Sequence, residues 1–186
     1  MINNMRNNRE VYKSKHLSIQ TKVRYFNCYE SSIFLYNCAL WTLTPTLAKS
    51  IDSFHCKLLR KAINFQYPKI ISNKDLYHLT MQTPWSEIIE VRRMRLLGHI
   101  CRLSDETPVK QALKEALKCQ RNKIGRPKTT WIKQIKKDLE KRGIAPDNNF
   151  TNIMYLAQDR DKWRKNYVKS YDYLHDDRQT VGVGCG

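Results

Sequence analysis

Residues 121–142 read Arg-Asn-Lys-Ile-Gly-Arg-Pro-Lys-Thr-Thr-Trp-Ile-Lys-Gln-Ile-Lys-Lys-Asp-Leu-Glu-Lys-Arg, a cationic turn that opens directly into an amphipathic helix. Gly125 accepts positive φ at no steric cost, and Pro127 fixes its own φ at a value suited to a first helical turn. Together they hold Lys123, Arg126 and Lys128 out on a stiffened loop, with Arg121 just ahead. The chemistry open to such a cluster is phosphate contact, in which charge-assisted hydrogen bonds position a polyanion without reading its bases. On the helix, spacings of four put Trp131, Ile135 and Leu139 on one face and leave Lys133, Lys136 and Lys137 on the others. Arg93, Arg95, His99 and Arg102, carried on an upstream helical stretch, join the candidate contact set. His99 follows Gly98 and has two uses open to it, a phosphate contact or a cap on a neighbouring carbonyl.

Other chemistries fit less well. Tyr173-Leu174-His175-Asp176-Asp177 pairs carboxylates beside a tyrosine, but two-metal phosphoryl transfer needs a rigid scaffold holding ions about 3.5–4 Å apart and a third carboxylate converging from elsewhere. His55-Cys56 and His99-Ile100-Cys101 are the close His/Cys pairs, whereas tetrahedral zinc wants four ligands in short-spaced pairs. No serine or threonine has a companion His and carboxylate in a hydrolase arrangement. The expectation is therefore no metal, no cofactor and no catalysis by this chain. Gly125-Arg126-Pro127 resembles the core of a minor-groove hook, yet Ile124 stands where such a hook has its first arginine.

The charge totals point the same way. The 186 residues contain 34 Lys and Arg against 17 Asp and Glu, a formal net charge of +17. Residues 92–142 hold 16 of those bases and five of the acids, so about two thirds of the excess sits around the cationic turn. An excess of this kind favours a nucleic acid or an anionic membrane surface as partner. The most apolar run, Ile33 to Leu43, is 11 residues long and contains Asn37, short of the roughly 20 that span a bilayer. Six scattered cysteines and the lack of an apolar leader suggest reduced thiols in a nuclear or cytoplasmic protein, neither secreted nor membrane-bound.

The elements that must position these groups are helices. Thr44-Pro45, Thr83-Pro84 and Thr107-Pro108 each pair a cap residue with proline at the first helical position. They predict helices from 45, over 84–103 and over 108–118. Ser72 and Asp75 have capping-box spacing before a short helix over 74–81. An earlier helix begins near Ser18 and is interrupted at Glu30-Ser31-Ser32. The basic helix spans 128–142 and stops at Gly143, and a last stretch runs 148–170 with a break near Gln158. No alternating strands or hairpin signals occur, so the class is all-α: an irregular multi-helix domain of about six to seven helices with flexible termini. The expected divisions are a disordered or truncated leader (1–14), a first helical segment (15–82), a basic helical segment (83–173) and a flexible tail (174–186). Trp41, Trp131, Arg160 and Trp163 are the expected structural anchors, with Arg160 forking to a carboxylate across helices.

In that order, Leu96-Leu97-Gly98-His99-Ile100-Cys101-Arg102, Gly125-Arg126-Pro127-Lys128-Thr129-Thr130-Trp131 and Ala157-Gln158-Asp159-Arg160-Asp161-Lys162-Trp163 resemble three successive signatures of one family. The chain is similar, over roughly residues 15–170, to the thumb and C-terminal region of a non-LTR (LINE-type) retrotransposon reverse transcriptase. Ser31 to Leu43 and Leu58 to Asn73 resemble its helical thumb and following segment; where the family has a glycine after Leu35-Tyr36, this chain has Asn37. The resemblance implies a helical region that grips RNA or an RNA/DNA template-primer beside the palm and fingers of a parent polymerase. The paired aspartates of that polymerase are not in this sequence, which reads as a fragment without catalysis. A helical scaffold or protein-interaction remnant with no nucleic-acid role is the alternative.

Overall fold

The computed structural model describes residues 8–65, 68–118, 129–146 and 150–168. Among these residues the fold is all-helical, with nine helices and no strand. They are α1 (Arg9–Lys13), α2 (residues 19–34), α3 (Pro45–Ala62), α4 (Asn73–Thr80), α5 (Trp85–Arg102), α6 (Pro108–Lys118), α7 (Trp131–Glu140), α8 (Thr151–Leu156) and α9 (residues 160–168), with a 3-10 turn over Cys38–Leu40. The number exceeds six to seven because α1 forms within the expected leader and the last stretch divides fully into α8 and α9.

Helix starts are set locally and match their sequence signals. Thr44 accepts from Leu47 N at 3.2 Å ahead of Pro45, and Ser72 accepts from Asp75 N at 3.1 Å while its hydroxyl donates to the Asp75 carboxylate at 2.7 Å. Gly143, at φ 75, closes α7, and Ile144 N reaches back to Leu139 O at 3.1 Å. Thr130 accepts from Lys133 N at 3.3 Å, so α7 starts at Trp131 rather than 128.

The chain forms two compact units, residues 1–89 and 90–186, divided inside α5 rather than at 82/83. Trp85 and Ile89 belong to the core of the first unit, and Met94, Leu97, Ile100 and Cys101 to that of the second. α5 therefore contributes side chains to two cores.

In the first unit Trp85 stacks on Phe34 (4.3 Å) and His55 (4.3 Å), and Trp41 meets Phe34 edge-on at 5.7 Å. The Asp52 carboxylate on α3 accepts from Ser86 N (2.9 Å) and Ser86 Oγ (2.6 Å), satisfying the first turn of α5. His55 is fully buried with Nε2 unpartnered among the described residues, and burial lowers its pKa to about 3. Its ring is thus neutral and part of the core, as is its neighbour Cys56.

Two departures stand out here. α1 orders part of the expected leader because Tyr12 is buried edge-on against Tyr25 at 5.7 Å; residues 1–7 lie outside the described residues. The interruption at Glu30-Ser31-Ser32 does not break α2. It widens into a π turn over Asn27–Ser31, with Ser32 Oγ donating to Asn27 O at 3.1 Å. The turn carries Glu30 fully inside with neither carboxylate oxygen within hydrogen-bonding distance of a partner among the described residues, and burial raises its pKa against a smaller lowering effect of the Asn8 side chain. Asn37 adopts φ 54, ψ 20, the left-handed conformation that glycine favours and Asn tolerates, and so meets the turn geometry itself.

Candidate nucleic-acid interface

The second unit is assembled by polar contacts that cross between helices. Arg93 on α5 is 2% exposed, and its Nε lies 2.8 Å from Asp138 Oδ2 on α7, which is 0% exposed. Gln134 Nε2, one turn before Asp138, donates to the other carboxylate oxygen at 3.1 Å. A buried ion pair costs desolvation, and this one offsets it through the extra hydrogen bond. Glu90 receives Arg142 Nη1 and Lys141 Nζ (3.1 Å). Burial pushes the Glu90 carboxyl up, but the hydrogen bonds and charges of Arg142 and Lys141 outweigh it and hold the group below its ordinary value. Arg142 also donates to Tyr167 O (3.1 Å) and Asp138 O (3.0 Å), tying α9 to the end of α7.

α9 is seated by one aromatic contact. Asp159 caps it by accepting from Lys162 N at 2.9 Å, and Trp163 then enters the core with Nε1 donating to Met94 O at 3.1 Å. The ring lies against Gly98: a Cβ there would stand 2.4 Å from Nε1 and 2.7 Å from Cδ1. Only a residue without a side chain admits this packing. Arg102 Nη1 donates to Ala157 O at 2.9 Å and so caps the end of α8.

The expected site residues divide accordingly. Arg93 is corrected from a phosphate contact to a core residue, because its guanidinium is buried on Asp138. Arg102 is half-buried and ties α5 to α8. Arg95 and His99 are exposed one turn apart on α5, and with Arg102 they form a stripe at i, i+4 and i+7. Lys133 and Lys137 are exposed one turn apart on α7 and make no ion pair among the described residues. Lys136 is half-buried with its ammonium 5.8 Å from the centre of the Phe150 ring. Arg121, Lys123, Arg126 and Lys128 lie outside the described residues, as does Tyr173 to Asp177. Trp131 is half-buried against the second core and Trp163 is inside it. Arg160 is corrected: it is exposed and pairs with no carboxylate among the described residues, the cross-helix fork being made by Arg142 on Glu90 instead. In α6, Val109 is exposed and Lys110 buried, with Nζ donating to Leu103 O at 2.6 Å.

Spacing alone carried the missed signal. Ile89, Arg93 and Leu97 are four apart, which places Arg93 on the apolar face, and Gln134 and Asp138 flank Ile135 and Leu139 in the same way. Burial pushes the Cys101 thiol up to about 11 despite Lys110 and Arg102, so it is not a poised ligand. No group of three or more His, Cys, Asp or Glu side chains able to hold a metal ion occurs among the described residues. No described helix is long and apolar enough to cross a membrane. No protein-family model, curated protein or solved structure matches this chain.

Proposed function

We propose that the second unit is a nucleic-acid-binding accessory element, gripping RNA or an RNA/DNA duplex through its phosphates and performing no chemistry by itself. In this reading the chain is a fragment of a non-LTR retrotransposon reverse transcriptase whose palm and fingers would supply the active site. The observation that carries it is the outer face of α7. Lys133 and Lys137 stand one turn apart without an acidic partner among the described residues, on a helix whose inner face is locked down by Asp138, Ile135 and Leu139. Like charges at i, i+4 cost a helix a few tenths of a kcal/mol, a cost that a bound polyanion removes. Asp138 is taken by Arg93 and Glu90 by Arg142 and Lys141, while Glu140, exposed three residues after Lys137, forms no ion pair with it among the described residues.

Fluorescence anisotropy with an RNA hairpin and an RNA/DNA duplex, across a salt series, tests this. Contact with about six phosphates gives a slope of log affinity against log salt near −5. Replacing Lys133 and Lys137 with Ala should weaken binding to all sequences alike and reduce that slope by about 2. A slope near zero, or an acidic polypeptide competing as well as nucleic acid, rejects the reading in favour of a helical scaffold.

A further inference from the structure

Very little holds α1 to the first unit. It has five residues, fewer than the roughly 12–15 that a helix needs to persist alone in water, and Asn8 ahead of it makes no side-chain cap. Tyr12 is its one buried side chain, set edge-on against Tyr25. Residues 15–18, which lead from it to α2, are all exposed. Asn8 and Tyr12 are four apart and so share a face, and both act on one group, Glu30 in the π turn of α2.

The polar atoms at this contact are left unmatched. Glu30 is 0% exposed and neither of its carboxylate oxygens has a hydrogen-bond partner among the described residues; the buried Tyr12 Oη has none either. A carboxyl so placed is tolerated as the neutral acid, whereas a carboxylate with no cation to pair with is far more costly to keep from water. Burial is the largest influence on Glu30 and pushes its pKa up, against the positive charge of the amino terminus and the Asn8 side chain, which lower it. From α1 the facing titratable group is the Tyr12 phenol, itself pushed up by burial, Glu30 and Tyr25, and therefore neutral. Lys22, buried on the same helix, makes no ion pair with Glu30 among the described residues, and neither does any base of α3 or α4. A charge buried in this way is relieved most readily where the fold is least attached, which is at α1.

We propose that α1 is a proton-operated latch: it stays docked on the π turn while Glu30 holds its proton, and comes away with Tyr12 when that proton passes to water, leaving the rest of the first unit folded. Because Glu30 has the higher pKa when α1 is docked, docking is strongest below the ordinary value of 4.5 and weakens as pH rises towards the docked value. Hydrogen exchange of the full chain, freed of nucleic acid, followed by NMR over a pH series and corrected for the intrinsic rate at each pH, reads this at the amides of Tyr12 and Ser14, which bond to Asn8 O and Glu10 O. Their protection should fall by up to about tenfold per pH unit above the ordinary value and then level off, while the amides of α3 keep theirs. Glu30→Gln should abolish this dependence and keep α1 docked throughout. Glu30→Met should do the same and decides the matter if Glu30→Gln lowers helicity by circular dichroism. Protection at Tyr12 and Ser14 that is unchanged by pH, that falls in step with α3, or that falls equally in the substituted chains overturns the proposal.

Discussion

Replacing Gly98 with alanine sets two opposing effects against each other, and the geometry decides between them. Alanine is the better helix former by about 1 kcal/mol, so in an open helix position the change stabilises. Here the new methyl would stand 2.4 Å from Trp163 Nε1 and 2.7 Å from Cδ1, both on a rigid indole that is only 2% exposed. The ring cannot swing into solvent, so α9 must shift or the indole must turn. Overpacking of this kind costs about 1–3 kcal/mol. Turning the ring also forfeits the bond from Nε1 to Met94 O and strands a buried donor, a further loss of about 1–3 kcal/mol. The expected net effect is a destabilisation of the second unit by about 1–5 kcal/mol. Urea unfolding followed by circular dichroism, with hydrogen exchange to assign the loss to α5 and α9, reads it out. The decisive control is the Trp163→Leu background, in which Gly98→Ala should change sign and stabilise by about 0.5–1 kcal/mol. If Gly98→Ala is neutral or stabilising in the unmodified chain, the packing described for Trp163 is wrong.

Other expected outcomes follow from the buried polar groups. Asp138→Asn leaves the Arg93 charge buried without its counter-ion and should cost about 3–5 kcal/mol in urea unfolding, most of which the paired change Arg93→Met, Asp138→Leu recovers; a loss under about 1 kcal/mol for the single change counts against the ion pair. His55, with its folded pKa lowered to about 3 against an ordinary 6.5, favours folding only while neutral, so stability should rise with pH across that window, by up to about 1.4 kcal/mol per unit, and His55→Phe should flatten the rise. Glu30 acts with the opposite sign: its pKa is raised, so its contribution is present below about 4.5 and is lost as pH rises through the folded value. Glu30→Gln should therefore stabilise the chain at neutral pH, and a loss of stability there would show that the carboxylate has a partner. Asn37→Gly should be near neutral and Asn37→Val should cost about 1–2 kcal/mol, since φ 54 strains a β-branched residue.

Much of this fold was legible because helix ends are local. Thr44, Ser72 and Gly143 act on atoms within a few residues of themselves, so their signals survive without knowledge of the rest of the chain. What sequence spacing left hidden is non-local or out of phase. The π turn at Asn27–Ser31 inserts one residue into the helical period, so that Glu30, four residues after Phe26 and seven after Val23, stays on the inward face while Ile33, seven after Phe26, is turned outward. The division inside α5 depends on which distant residues cover its apolar face at each end. Arg93 illustrates a third case. Its position on that face was readable from Ile89 and Leu97, but the residue that makes its burial tolerable lies 45 positions away on α7, and the charge alone suggested solvent. The candidate site was legible in the opposite sense: Lys133 and Lys137 are outward for the same periodic reason that Ile135 and Leu139 are inward.

The three motifs behind the family resemblance therefore do different physical work. Gly98 in the first and Trp163 in the third are two halves of one contact, and Asp159 and Ala157 in the third serve to start α9 and to receive Arg102. These residues specify how the second unit packs, whereas His99 in the first motif and Arg160 and Lys162 in the third are exposed, and Gly125 to Lys128 of the second lie outside the described residues. The phosphate reading rests instead on the exposed bases of α5 and α7. It follows that the two can be separated by experiment. Lys133→Ala with Lys137→Ala should weaken nucleic-acid binding while leaving the unfolding transition within about 0.5 kcal/mol, because both side chains lie outside the packing. Gly98→Ala should shift the unfolding transition and, at temperatures where the chain remains folded, leave the salt slope of binding unchanged. A chain in which both substitutions moved both quantities would have its binding surface and its core on the same residues, contrary to the geometry of α5 and α7.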